Sequence, residues 1–137
     1  MTDGKPEFLL PDGVHAPPAN TYSHAVVAGG VVYVAGQVGI DPSGKLLEGF
    51  EAQATQALEN LSAVLTAAGA KLGDVVKVQV LVSEPSDAAT YRGLREKYLP
   101  QRPASTLYAP KRSPSPVCSS KSKRSPSHLR VERINTN

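Results

Sequence analysis

Two kinds of hydrophobic spacing divide this chain. Ala25-Val26-Val27-Ala28 and Val31-Val32-Tyr33-Val34-Ala35 flank the pair Gly29-Gly30. Two β-branched runs separated by two residues that tolerate positive φ predict a β-hairpin. Gly36-Gln37-Val38-Gly39-Ile40 continues the second run; its two glycines mark either a loosened strand end or a place where something approaches the backbone closely. From Glu51 to Ala68 the spacing lengthens, with Ala54, Ala57, Leu58, Leu61, Val64, Leu65 and Ala68 recurring every three or four residues. That predicts an amphipathic helix with one buried stripe. Gly69 stops it, as a residue able to take the left-handed conformation at a helix end.

Period two returns between Asp74 and Val82. Val76, Val78, Val80 and Val82 are expected on one face, packed under the helices, with Val75, Lys77, Gln79 and Leu81 on the other. A second helix is expected from about Asp87 to Tyr98, with Ser86 or Asp87 as N-cap and Ala88, Tyr91, Leu94 and Tyr98 facing inward. Gly93 weakens it by about 1 kcal/mol relative to Ala. Ala104-Ser105-Thr106-Leu107-Tyr108-Ala109 is the candidate for a third sheet segment, and His128 to Ile134 reads as an edge strand. The first 20 residues, with Pro11-Asp12-Gly13 and Pro17-Pro18, read as an irregular lead-in. Hairpin, helix, strand and helix in this order imply an α+β layer, one sheet covered by two helices.

Composition then separates two parts. With 137 residues the chain can bury one core, expected over 1–110. Residues 1–102 carry 8 Lys or Arg and 11 Asp or Glu, whereas 103–137 carry 7 against the single Glu132, so the net charge of +3 averages unlike regions. Between Lys111 and Ser127 stand seven Ser, three Pro, five basic residues and no acid. Such a stretch has too little apolar surface to offset its ordering entropy and is read as disordered over 111–127, with 128–137 an edge strand or tail. The shift in composition reads as a variant end grafted onto the core. Basic Ser-Pro repeats suit electrostatic nucleic-acid binding or phosphorylation, but no aromatic residue is interleaved for base stacking, so nucleic acid is not the expected partner. No run of about 18 apolar residues is present and the N-terminus lacks signal or transit patterns, so a cytoplasmic protein without membrane contact is expected. The lone Cys118 excludes an internal disulfide, and no metal-ligand spacing is found.

Chemical signals from the residues alone are few. Walker, dinucleotide, nucleophile-elbow and paired-histidine motifs are absent. His15 and His128 read as solvent-exposed. His24, beside Tyr22 and Ser23 at the entry of the first hairpin strand, reads either as a general base with hydrogen-bond donors around it or as a strand-edge histidine without a catalytic task.

The order of local motifs nevertheless resembles a known family. Tyr22-Ser23-His24-Ala25-Val26 is similar to its Tyr-Ser-x-Ala motif. Val34-Ala35-Gly36-Gln37-Val38-Gly39-Ile40-Asp41-Pro42 is similar to its Ser-Gly-Gln-x-x-x-Asp-Pro block, and Gln53 to Leu61 to its first-helix signature. Ala67-Ala68-Gly69-Ala70, Asp74 to Val80 and Arg102-Pro103-Ala104 follow in order. Over about residues 22–104 the chain resembles the YjgF/RidA imine deaminases. The resemblance implies a mixed sheet backed by two helices, like chorismate mutase of the bacillus type, and a homotrimer with clefts at subunit interfaces. It implies hydrolysis of 2-imino and 2-enamino acids to 2-keto acids and ammonia, without cofactor or metal. Tyr22, Gly36 and Gln37 would line the cleft, with Ser23 nearby. The family's carboxylate-anchoring Arg falls at Ser105, so a neutral hydrogen bond replaces a charged fork. Arg102 and Arg92 are candidate substitutes, although strand alternation would put Arg102 on the opposite face from Ser105. Glu132 reads either as a displaced counterpart of the family's water-orienting Glu or as chance. The resemblance therefore leaves an enzyme with altered or reduced activity beside a non-catalytic metabolite-binding protein on the same trimeric core.

Overall fold

The structure, a computed structural model, describes residues 4–109 and, as backbone, 128–135. Six strands form one mixed sheet: β1 (Glu7–Leu9), β2 (Ala25–Ala28), β3 (Val31–Val34), β4 (Val75–Leu81), β5 (Ala104–Tyr108) and β6 (His128–Asn135). Their spatial order is β1-β2-β3-β6-β4-β5. Helices α1 (Phe50–Ala67) and α2 (Asp87–Tyr98) pack on one face. The expected α+β layer of two helices on a mixed sheet is thus observed.

Local chemistry explains most boundaries. Gly29 and Gly30 both adopt positive φ, 58° and 75°, and Ala28 pairs with Val31, so β2 and β3 close through a two-residue turn whose twist suits the strands. α1 begins after Gly49 at φ 85° and ends before Gly69 at φ 79°, within a residue of the expected limits. Its stripe of Ala57, Leu58, Leu61, Val64 and Leu65 is buried against Ala25, Val32, Val34, Val75, Val78, Val80 and Val82 of the sheet side. α2 has the expected limits and buries Tyr91. It links β4 to β5, which pair in parallel as such a crossover requires.

Four expectations are corrected. The lead-in is not wholly irregular: Glu7–Leu9 pairs antiparallel with β2, a strand too short for periodicity to reveal. The second hairpin strand ends at Val34 instead of running through Ile40. In β4 the valine face slips, because Val75 and Val78 are both buried while Val76 is 49% exposed. The pairing with β6 shows why: Val75 faces Ile134 and Lys77 faces Arg133, so Val76 is an extra residue, and strict alternation fails across the bulge. Finally, β6 is not an edge strand, since it pairs with β3 on one side and β4 on the other. The segment 111–127, expected to be disordered, lies outside the described residues.

Candidate active site

The site forms where the lead-in, the end of β3 and the following turn converge. Val14, His15 and Pro17 are buried, so the lead-in is anchored before it turns. The turn at Pro18–Asn20 carries Ala19 and Asn20 at φ 52° and 53°, and Thr21 closes it by donating its hydroxyl to the Pro18 carbonyl at 2.8 Å. This reversal delivers Tyr22 to the start of β2 with 42% of its surface exposed.

α1 holds the opposite wall. Asn60 is buried, and its amide donates to the carbonyls of Val38 and Ile40 at 3.1 and 2.9 Å, while its own carbonyl accepts from Gln56 at 2.8 Å. These bonds satisfy carbonyls that left the ladder when β3 ended. Gly39 lies so close to the helix that an added Cβ would stand 2.4 Å from the Gln53 Cα, so of the two glycine readings the close approach applies there. The floor is the Asp41–Lys45 turn, where Asp41 Oδ1 accepts from the Ser43 amide at 2.9 Å, the Ser43 hydroxyl at 2.6 Å and the Lys45 amide at 3.0 Å. The Ser43 hydroxyl first, then the Lys45 amide, holds the Asp41 carboxyl below the usual carboxylate range.

Between these walls lies a cavity of about 710 Å³ lined by His15, Ala16, Pro18, Tyr22, Gly36, Val38, Ile40, Pro42, Ser43 and Gly44. Its described lining contains no Lys, Arg, Asp or Glu. Tyr22 and Gly36 thus share one cavity. Gln37 does not line it; fully buried, it supports the wall from behind through a directed chain of hydrogen bonds. The Ala35 carbonyl can only accept, which orients the Gln37 amide nitrogen toward it at 3.1 Å and toward His24 Nδ1 at 3.3 Å. The other His24 nitrogen, Nε2, faces the His15 carbonyl at 2.6 Å and must be the protonated one. His24 is therefore neither at a strand edge nor in the cavity lining; it clamps the lead-in to the hairpin. Its ring stands edge-on to His15 at 5.2 Å and to Tyr22 at 6.1 Å between centroids.

His15 is corrected from exposed to buried. Burial, and then the neighbouring His24, hold its imidazole below the usual histidine range. Sequence reasoning missed it because a histidine in a Pro-rich lead gives no periodic signal. Asn60 was missed too, although a polar residue inside the apolar stripe of α1 is a signal that it meets a buried partner.

The remaining candidates lie elsewhere. Ser23 is half-buried between Tyr22 and His24. Ser105 is exposed on β5, in register with Val78, and three strands separate β5 from β2. Arg102 precedes β5 in a turn with φ 57°, where its amide donates to the Leu99 carbonyl; contrary to expectation, strand alternation therefore does not govern its direction. Arg92 is exposed on α2. Glu132 falls at a second bulge, opposite the step from Lys77 to Val78, which pair with Arg133 and Val131. Among the described residues no group of three or more His, Cys, Asp or Glu is placed to hold a metal ion.

This fold has close counterparts. Residues 13–118 match the family model described as Endoribonuclease L-PSP, and the chain belongs to that family, the YjgF/RidA proteins. Among its relatives, a RutC family protein of Pyrococcus horikoshii is 37% identical over 103 residues, 73% of this chain and 82% of that protein. The 2-iminobutanoate/2-iminopropanoate deaminase of Salmonella typhimurium is 39% identical over 84 residues, 61% of this chain and 66% of that enzyme. The match thus spans just under two thirds of the deaminase. The crystal structure of RidA from an Antarctic Psychrobacter superposes with a TM-score of 0.79 at 32% identity, covering 94% of this chain and 98% of that one.

Proposed function

We propose that this chain hydrolyses reactive 2-imino and 2-enamino acids to 2-keto acids and ammonia, without a cofactor, in the cytoplasm. The observation that carries this reading is the Tyr22 cavity, uncharged in its described lining, in a chain about 40% identical to proteins named imine deaminases. A protonated 2-imino acid pairs an iminium with a carboxylate and has no net charge, so a cavity walled by Ala16, Pro18, Val38, Ile40 and Pro42 suits it. Water adds to the iminium carbon, the C–N bond breaks, and the nitrogen leaves as ammonium while the water oxygen becomes the keto oxygen. The task is to hold the substrate and one water in reacting geometry. The Tyr22 hydroxyl is assigned to the reacting end of the substrate, with Gly36 allowing close approach. Gln37 holds the wall.

Homotrimeric assembly belongs to the same proposal. Phe8, Val26 and Tyr33 are in register across β1, β2 and β3 on the face turned away from the helices, and Phe8 and Tyr33 are 67% and 45% exposed. That face is assigned to contact with a second copy, and Ser105 or Arg102, which a single chain keeps apart from the Tyr22 cavity, would have to come from such a copy to reach it. With Ser105 at the anchor position, turnover of carboxylate-bearing imines is expected to be reduced, which is also what favours the second reading, a metabolite-binding protein without turnover. The test is ammonia and 2-keto acid release from 2-iminopropanoate generated by an amino-acid oxidase, with assembly followed by light scattering. Acceleration that Tyr22→Phe abolishes is the expected result. Binding of 2-keto acid by a trimer that does not accelerate release would establish the second reading.

A further inference from the structure

His15 has two nitrogens in unequal surroundings. Its Nδ1 is buried and meets no hydrogen-bond partner among the described residues, while the side chain lines the Tyr22 cavity. A proton on Nδ1 would be a buried donor without an acceptor, and orphaned buried N–H groups are rarer in proteins than under-satisfied acceptors. The neutral ring therefore carries its hydrogen on Nε2. The backbone that carries the ring is fixed from outside: His24 Nε2 donates to the His15 carbonyl at 2.6 Å, and His24 is in turn held by Gln37. The anchor is a backbone carbonyl, so the lead-in stays clamped whatever side chain stands at residue 15.

We propose that His15, through its Nε2–H, is a specificity residue of this cavity that binds the carboxylate of the imino acid. The inference rests on the deaminase reading and adds to it a substitute for the guanidinium missing at Ser105. The chemistry follows from the lining. No described lining residue is a cation, and the Ser43 hydroxyl is committed to Asp41. The remaining side-chain donors are the Tyr22 hydroxyl and the His15 ring. If Tyr22 serves the reacting end, His15 is left for the other end of a small 2-imino acid. An N–H donated to a carboxylate is charge-assisted and gains strength away from water.

The test separates the two ring nitrogens. An asparagine amide reproduces a donor near Nδ1 and a glutamine amide one near Nε2. In the full-length protein, binding of 2-oxobutanoate should weaken about tenfold in His15→Asn and stay within about threefold of wild type in His15→Gln. Butanone, which lacks the carboxylate, should not discriminate among the three. In wild type, long-range ¹H–¹⁵N spectra should show the His15 proton on Nε2 and a shift of that nitrogen when 2-oxobutanoate is added, a readout independent of whether the variants fold. A proton on Nδ1, an unmoved Nε2, equal affinity in all three proteins, or equal discrimination against butanone would overturn the assignment. Ammonia release measured in the same proteins distinguishes the two levels. Turnover with no effect of His15→Asn removes His15 alone, whereas no turnover and no keto acid binding removes the deaminase reading as well.

Discussion

The two ends of the sheet are built to different standards. At the β2–β3 end the candidate site is over-determined: Asn60, Gln37, His24 and Asp41 each fix a segment of its wall, and all but Asp41 are buried. At the β5 end every strand residue is exposed, and beyond the backbone bonds to the neighbouring strand and Val82 the side-chain bond among the described residues is Lys77 Nζ donating to the Thr106 hydroxyl at 2.8 Å at the surface. Buried polar bonds specify a position because the alternative is an unsatisfied group in a low-dielectric interior, whereas surface bonds exchange with water at little cost. The walls of the cavity are therefore held by bonds within one chain. The side carrying Ser105 and Arg102 is exposed in the single chain, which is where the proposed assembly would place a second copy.

The largest expected break of this contrast is at glycine. Gly39→Ala would drive a Cβ into the α1 backbone at Gln53, which cannot move without shifting the helix, and should destabilise the fold by about 3 kcal/mol or more. Gly73→Ala, ahead of β4, meets nothing within 4 Å and has no positive φ; it should change stability by less than about 0.5 kcal/mol. Chemical denaturation of the pair measures both. Equal effects would mean that the wall is not packed as described.

Next is the wall's polar support. Asn60→Ala removes the donor to two carbonyls, Val38 and Ile40, and should cost about 2 kcal/mol with accelerated amide exchange confined to the 38–47 segment. Exchange that quickens uniformly across the sheet would show that Asn60 supports the core in general and not the cavity in particular.

These two residues also show how far the sequence was legible. Both helices, the hairpin and β4 followed from spacing and glycine placement, because each buries a face large enough to leave a periodic trace; β5, exposed at every residue, leaves no such trace. The Val76 bulge and the short β1 left none, since one inserted residue or three paired ones do not alter a composition window. β6 was expected as a strand but not as an interior one; its position between β3 and β4 depends on pairing partners distant in sequence. In the site, Tyr22 and Gly36 were found through local motifs. His15 and the burial of Gln37 were not, because both depend on which segment folds over which, a tertiary fact that no nearby residue encodes.

The third change works from the opposite end. Ser105→Arg should raise kcat/KM for 2-iminopropanoate about tenfold and leave stability unaltered, because residue 105 is exposed and, on the proposed assembly, serves a neighbouring copy's cavity. Measured above and below the concentration at which the protein assembles, the gain should vanish with the monomer. A gain that persists in the monomer would show that Ser105 reaches a site within its own chain and would remove the argument for a shared cleft.

The smallest expected effect tests whether a buried orphan must be functional. Tyr91 on α2 is 1% exposed, and its hydroxyl, like His15 Nδ1, has no hydrogen-bond partner among the described residues. It lies in the helix core and not in the Tyr22 cavity. Burial pushes its phenol up to about 12, opposed by Arg95. The folded state thus holds the proton more tightly than the unfolded one; stability from this group is complete below about pH 10 and is lost as pH rises through 12. Tyr91→Phe removes a polar atom that gains nothing inside, so it should leave stability unchanged or raise it by about 1 kcal/mol, flatten the fall in stability above pH 10, and not alter turnover. At the cavity the equivalent logic gives the reverse, since replacing His15 there costs affinity without requiring a loss of stability. If Tyr91→Phe instead destabilised the fold by 2 kcal/mol or more, the hydroxyl would have a partner outside the described residues, and burial without a partner would lose its value as a guide at His15 too.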